Sequence, residues 1–535
     1  MGNESSPKDG ILGLKENWRS DILSGFVVFL IALPLCLGIS LASGAPPMAG
    51  IFSGIVGGIL VSLFSGSHLT INGPAAGLIA VVLNSIIVLG GGDAKLGFEL
   101  TLAAIVFAGV IQILLGFVRA GNLTVYFPIS VIHGMMAAIG IIIISKQFYV
   151  ALGISPNAKT IAGLILEMPS SVVNLNPNVA LIGIATIVVI SLLTIVKSEK
   201  LKKIPAPLFA VIIGIFLGYI FDLEDEHSYT LLEHTYKIGP KSLVTLPDHV
   251  TDGFTLPNFS KWNEGIFWVM VVTIALIASI ESLLTAAAVD KSDPYFRKSN
   301  MDRELIAKGV GNFFLGWIGG LPIIAEVVRS SANISNGAKT RWSNFFHGMF
   351  LLLFILLLPG LIHRIPLASL AGILIMVGFR LASPSVLLET YHKGWDQVVI
   401  FSITVILTIV EDLLIGVMFG ILAALIIQLS FGVKLKHLFL ADISLKHRKQ
   451  VYLLKIKKSL LFSNMISLKR MLNKIPQGNR IAIRFEDVTM VGFSAIEFLQ
   501  DFKRDYETRG GFVKLYGFDS LKPISPYPGA TRIHK

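Results

Sequence analysis

The 535-residue chain is 53% hydrophobic and only 15% charged, with a mean hydropathy of +0.73. Soluble domains are about a quarter charged, and a monomer this apolar would expose more apolar surface than water tolerates, so the outer faces of its helices belong in lipid. A single cysteine, Cys36, excludes an intrachain disulfide framework and a multi-cysteine metal site. The net charge of +11 lies mostly in loops and in the C-terminal segment, which argues against a nucleic-acid-binding face.

The polar N-terminus runs into further membrane segments, so no cleavable signal peptide is evident. Its first residues formally fit an N-myristoylation pattern, one too short to carry weight. Apolar runs of spanning length, roughly 20 residues, fall near 21–42, 47–65, 98–119, 127–148, 177–196, 204–222, 265–290, 342–362 and 395–430. The last is long enough for two segments, split near Glu411 and Asp412. Shorter, glycine-broken runs lie at 73–89, 303–320, 325–338 and 366–382. The total is about fourteen segments, some too short to cross alone.

The loops fit a cytoplasmic N-terminus. Lys197, Lys200, Lys202 and Lys203, then Lys291, Arg297, Lys298 and Arg303, then Lys339 and Arg341 fall on the cytoplasmic side, as the positive-inside rule requires. The long loop 222–263 falls outside and carries Asp222, Glu224, Asp225, Glu226, Glu233, Asp248 and Asp252. It divides the membrane part into halves of about seven segments each, which suggests an inverted repeat. In each half the third segment is interrupted: Gly73-Pro74 opens one, and Gly319-Gly-Leu-Pro322 precedes the other. Paired Gly/Pro-interrupted segments point to a transporter's binding site. A helix start offers free N–H groups and partial positive charge to an anion, and Ala75, Ala76 and Gly77 let an anion approach the backbone. A kink in a packed helix is the plainer reading of either interruption alone.

Glu281 lies deep in an apolar segment, with Thr285 one turn on along the same face. An ionisable group within the membrane is read as a proton carrier or cation ligand, against a structural hydrogen bond as the alternative. Glu326 sits where the second half-helix should receive an anion. It is expected to be protonated, to pair with Arg329 or a cation, or to accept a hydrogen bond from a substrate. For Arg329, an anchor on the cytoplasmic side competes with attraction of anions. His68 and His133 read as packing histidines, and Gly50, Gly54 and Gly58 as close helix packing.

Beyond 431, lysine-rich alternating runs at 451–457, 480–485 and 512–516 flank helical stretches at 463–474 and 494–508. Strand alternating with helix indicates a small α/β domain.

These residues carry a resemblance. Ala45-Pro-Pro47, Gly73-Pro-Ala75, Glu281-Ser-Leu-Leu-Thr285 with Asp290, Asp302-Arg-Glu-Leu305, Gly309-Val-Gly-Asn312, Gly319-Gly-Leu-Pro322, Arg329-Ser330 with Asn333, and Asn336-Gly-Ala-Lys-Thr340 stand in an order that resembles the SulP anion transporters, whose animal members form the solute-carrier 26 group. The resemblance covers nearly the whole chain. It implies an all-α polytopic fold of 7+7 inverted repeats in core and gate domains, an elevator motion, a cytoplasmic STAS-like domain and usually a homodimer. Carried over by position, the anion site uses Ala75, Ala76 and Gly77 with Ala325, Glu326 and Val327. A coupling cation, Na+ or H+, falls to Glu281 and Thr285, with Glu326 as a further coupling candidate, and no other cofactor is implied. Three departures stand out. Leu35 replaces a glutamine common in sulfate-type members, Glu326 replaces a small residue, and Gly492-Phe493 stands where STAS domains carry an Asp-Ser phospho-acceptor pair, with Ser494 next.

The resulting division is a cytoplasmic N-terminal segment 1–20, repeats 21–222 and 264–432 around the loop 223–263, and a STAS-like domain at 445–522. The expected function is cation- or proton-coupled uptake of a small inorganic oxyanion, bicarbonate slightly ahead of sulfate, in the plasma (inner) membrane with both termini cytoplasmic. A nucleobase–proton symporter using Glu281 and Glu326 is the runner-up, and a non-transporting membrane scaffold the third reading. No nucleophile–base pair suggests an enzyme.

Overall fold

The computed structural model describes residues 6–121, 127–158, 160–195, 205–231, 234–247, 249–411, 413–448 and 451–534. The basic stretch 197–203, the myristoylation pattern, Glu233, Asp248 and Asp412 fall wholly or largely outside them. The chain forms two compact units: Met1–Gly121 with Ile139–Arg380, and Asn122–Ala138 with Leu381–Lys535.

Fourteen main membrane helices are found among the described residues. In the first half they are α1 (Gly10–Ala42), α2 (Pro47–Phe64), α3 (Ile79–Gly90), α4 (Ala94–Phe117), α5 (Ile129–Leu152), α6 (Pro177–Ile195) and α7 (Ala206–Ile220). In the second they are α8 (Gly265–Ser292), α9 (Met301–Ile318), α10 (Val327–Ser335), α11 (Trp342–Leu357), α12 (Leu367–Leu381), α13 (Trp395–Val410) and α14 (Leu413–Ser430). The third helix of each half, α3 and α10, is short and preceded by a four-residue strand: β1 (Ile71–Pro74) and, later in the chain, β4 (Ile323–Glu326). The loop after α7 carries a hairpin of β2 (His227–Leu231) and β3 (His234–Ile238).

Small residues set how closely the helices of the first unit approach. A side-chain carbon on Gly50 would meet the carbonyl of Cys36, and one on Gly54 the side chain of Leu351. One on Gly58 would meet the backbone of Gly348, so α2 and α11 touch main chain to main chain. The glycine ladder packs, as its spacing implies. Two buried carboxylates in this unit are answered locally. Glu304 accepts from Ser65 Oγ at 2.7 Å and from the N–H groups of Gly66 at 2.9 Å and Ser67 at 3.2 Å, and it pairs with Lys308. Asp21 accepts from the N–H groups of Lys339 at 2.8 Å and Thr340 at 3.1 Å. A buried carboxylate stripped of such donors would carry its full desolvation cost.

The second unit holds a six-stranded sheet in the order β5–β6–β7–β10–β9, with β8 also paired to β7. Its strands are β5 (Asp442–Arg448), β6 (Val451–Leu460), β7 (Arg480–Val491), β8 (Phe512–Tyr516), β9 (Lys522–Pro523) and β10 (Arg532–Ile533). β6, β7 and β8 run parallel, so helices must connect them: α15 (Met465–Leu472) and α16 (Phe493–Thr508) do so. Ile481, Ile483 and Phe485 alternate inward along β7 and pack with Leu468, Ile496 and Leu499. The sheet extends past both ends of the span read from sequence. β5 hides its alternation behind Lys446, His447 and Arg448, and β10 is two residues long.

This sheet domain is joined to membrane helices of its own unit by polar contacts. Ser494 Oγ, at the start of α16, accepts from the N–H of Ile129, the first residue of α5, at 3.2 Å. Thr531 Oγ1 donates to Asp396 Oδ2 at 2.8 Å, and Gln397 Nε2 donates to the same oxygen at 2.6 Å. Asp396 Oδ1 is buried with no protein donor.

Candidate functional site

A chain that breaks its helix inside a membrane must satisfy the freed backbone within the protein. Here the two breaks satisfy each other. β1 and β4 pair antiparallel, with Ile71 opposite Glu326, Asn72 opposite Ala325, Gly73 opposite Ile324 and Pro74 opposite Ile323. The interrupted segments of both halves thus meet at one place, within the first unit.

Polar side chains fix this ribbon. Asn312 on α9 accepts from the N–H of Ile323 at 2.7 Å, donates to its carbonyl at 3.3 Å, and donates to Gln112 on α4 at 2.7 Å. Ser282, next to Glu281 on α8, accepts from the N–H of Ala325 at 3.4 Å. Ser330 on α10 accepts from the N–H of Ile71 at 2.9 Å, and Asn333 donates to the Leu69 carbonyl at 3.0 Å. Sequence reasoning matched Asn312 and Asn333 to a family pattern without giving them a role, and it missed Gln112. Their signal was a carboxamide inside or beside an apolar run, a group that must find partners when buried.

The half-helix starts differ. After β1, Ala75 and Ala76 are buried, and the single turn Ala76–Leu78 leads into α3. The first bond of that turn runs from Leu78 N–H to the Ala75 carbonyl at 3.1 Å, so the N–H groups of Ala76 and Gly77 precede the ladder. Gly77 lies under Glu281, and a side-chain carbon there would collide with both carboxylate oxygens. Glu281 is half-buried, and among the described residues no basic side chain lies within ion-pair distance of it. The Glu326 carboxylate, of like sign, is close enough to act on it. Thr285 is buried one turn further along α8.

At the second start, Glu326 is the N-cap of α10, and its Oε2 accepts from the Arg329 N–H at 2.7 Å. The protein's own carboxylate therefore occupies the seat that a helix start offers to an anion. Ala325 is fully buried, whereas Val327 is 43% exposed. Of the six residues assigned to the anion by resemblance, Val327 is exposed, Gly77 and Glu326 are partly buried, and Ala75, Ala76 and Ala325 are buried and can contribute only backbone. A cavity of about 260 Å³ lies against α10 at Val328 and Ala332, and Leu35, Pro205 and Arg380 also line it.

Arg329 does not anchor at the membrane surface. Its side chain is fully buried, with Nη2 donating to the Pro74 carbonyl at 3.2 Å and Nη1 3.6 Å from Cys36 Sγ. It lies one turn inside α10, and that position aims it back under β1, where Gly73 leaves room for it. Among the described residues no carboxylate lies within ion-pair distance of this guanidinium, and its Nε is unpartnered. Both ring nitrogens of buried His347 and the side-chain amide of buried Asn72 are unpartnered as well. His68 Nδ1 lies 3.1 Å from Asp9, consistent with a packing histidine.

Comparison with known proteins places this arrangement. A putative sulfate transporter of Bacillus subtilis is 27% identical over 77% of this chain and 73% of its own length. A bicarbonate transporter of Picosynechococcus is 28% identical over 76% and 69%. The solved transmembrane domain of a cyanobacterial bicarbonate transporter is 26% identical and superposes with a TM-score of 0.62, covering 76% of this chain and 97% of that domain. Murine solute carrier 26 family member A9 shares the fold at 16% identity, with a TM-score of 0.66 over 96% of this chain and 90% of that one. Residues 442–520 match the STAS domain. Residues 18–404 match the sulfate permease family, so the chain belongs to that family.

Proposed function

We propose that the protein is a secondary active transporter taking up a small inorganic oxyanion, bicarbonate ahead of sulfate, with Na+ or H+ coupled at Glu281 and Thr285. One observation carries the reading: the β1–β4 pair sets two half-helix starts together with an unpaired carboxylate lying on Gly77. The transporter names of its relatives support the substrate class.

The coupling follows from charge. An anion approaching Gly77 meets Glu281 and Glu326, and two unit charges about 6 Å apart repel by roughly 3 kcal/mol at an effective dielectric constant near 20. A cation at Glu281 cancels one of these charges, so each ion raises the other's affinity, as linkage requires. An inside-negative potential opposes anion entry by about 2.3 kcal/mol per charge per 100 mV, and a co-transported cation offsets that. Bicarbonate is favoured because its hydroxyl can donate to an ionised Glu326, which sulfate cannot do. The main-chain contact of α2 with α11 supports an elevator step, because it lets the half-helices travel as one block.

The test is uptake of labelled bicarbonate and sulfate into proteoliposomes under separately imposed Na+ and H+ gradients. Accumulation of bicarbonate driven by one gradient is expected, and Glu281→Gln should abolish accumulation while the protein still inserts and folds. Normal accumulation by that variant would remove the coupling role. Flux of a nucleobase with neither anion moving would overturn the anion reading.

A further inference from the structure

A second pocket, sharing no residue with the half-helix site, opens where α1 begins, α2 ends and α11 begins. It holds about 340 Å³ and is lined by Asp9, Gly10, Leu63, Arg303, Arg341 and Trp342, with Ser62 beneath. Both arginines have a structural duty, since Arg303 Nε donates to the Phe64 carbonyl at 2.8 Å and Arg341 Nη1 to the Ser65 carbonyl at 2.9 Å, closing the end of α2. That duty leaves donors over. Arg341 Nε is buried and unpartnered, and Arg303 is exposed, with no acceptor within hydrogen-bond distance of its terminal amino groups among the described residues. Among the described residues the only acid lining the pocket is Asp9, 3.4 Å from Arg341 Nη2 and 3.1 Å from His68 Nδ1. Burial raises the Asp9 carboxyl, but His68 and Arg341 outweigh it and hold the group below its ordinary value. The pocket thus sets one half-exposed carboxylate against two guanidiniums.

Its surroundings are apolar. Ile11 is 69% exposed, Leu12 58%, and Leu63 and Phe64 46% each. Trp342 bonds its indole N–H to the Gly10 carbonyl at 2.9 Å, the posture of an aromatic residue at a membrane boundary. A phosphate group fits the guanidinium forks, and acyl chains fit the flank; a soluble phosphate would use only the first. We propose that this pocket binds the headgroup of an anionic phospholipid, with Arg303 and Arg341 on the phosphate and the chains along Leu63, Phe64, Ile11 and Leu12.

The full chain, reconstituted in phosphatidylcholine vesicles, is titrated with phosphatidylglycerol or phosphatidylcholine brominated on the acyl chains. Tryptophan quenching is read, with Trp342→Phe defining the component that belongs to this pocket. Brominated phosphatidylglycerol is expected to quench that component at several-fold lower mole fraction than brominated phosphatidylcholine. Arg303→Gln, a change at an exposed side chain, should weaken the preference roughly five-fold, and Arg303→Gln with Arg341→Gln by more than ten-fold. Asp9→Asn should strengthen it. Equal quenching by the two lipids, or a preference unmoved in Arg303→Gln, overturns the proposal. Displacement by soluble glycerol phosphate at millimolar concentration would also overturn it, by assigning the pocket to free phosphate esters. Since the readout is quenching, its outcome is independent of which ion the protein transports.

Discussion

Gly77 is the position at which the smallest change should have the largest consequence. Its missing side chain is the space that the Glu281 carboxylate occupies. Gly77→Ala is expected to insert normally yet lose at least ten-fold in uptake, while Gly77→Ala with Glu281→Asp, which shortens the acid by one methylene, should recover part of it. Initial-rate uptake at saturating cation checks both. Arg329 offers the opposite trade. A buried cation without a carboxylate partner costs several kcal/mol in desolvation, and an apolar residue of similar size is often neutral or stabilising in its place. Arg329→Met gives up the charged hydrogen bond to Pro74, worth about 1.5–3 kcal/mol, and the weaker contact with Cys36. It is therefore expected to keep or raise the melting temperature of the purified protein while uptake collapses. A falling melting temperature would mean that the guanidinium is structural mortar.

At the scale of the element, α10 is a nine-residue helix whose start is held by Glu326. Glu326→Gln keeps an oxygen to accept from the Arg329 N–H but removes the charge, so the anion's apparent affinity should rise and its dependence on the cation should weaken. Glu326→Ala loses the cap too and should cost about 1 kcal/mol more in stability. Anion KM at two cation concentrations, beside thermal unfolding, separates the two effects. This element also shows what sequence can and cannot display. The fourteen segments and both interruptions are legible, because a spanning helix needs a long apolar run and Gly-Pro breaks it visibly. The β1–β4 pair is not, since a four-residue stretch such as Ile323-Ile-Ala-Glu326 shows no alternation and its partner lies some 250 positions away. Glu281 is legible as a charge in an apolar run. Its rest on Gly77, and the turning of Arg329 inward, follow from packing that only the folded chain displays.

At the scale of the whole molecule, the sheet domain and the membrane helices of the second unit are one structural body. Thr531 supplies one of the two side-chain donors to the buried Asp396 carboxylate found among the described residues, and a hydrogen bond to a buried charged group is worth about 1.5–3 kcal/mol. Thr531→Val should lower the melting temperature of the full chain by roughly 2–4 °C per kcal/mol lost, with anion KM unchanged. An unaltered melting curve would show that this contact carries no load. Ser494 has a different consequence. Its hydroxyl accepts from the first N–H of α5, so a ligand or modification that takes up this oxygen competes with a hydrogen bond to a transmembrane helix. A change at the start of α16 would therefore reach the bilayer directly, because the sheet domain and the helix share a hydrogen bond.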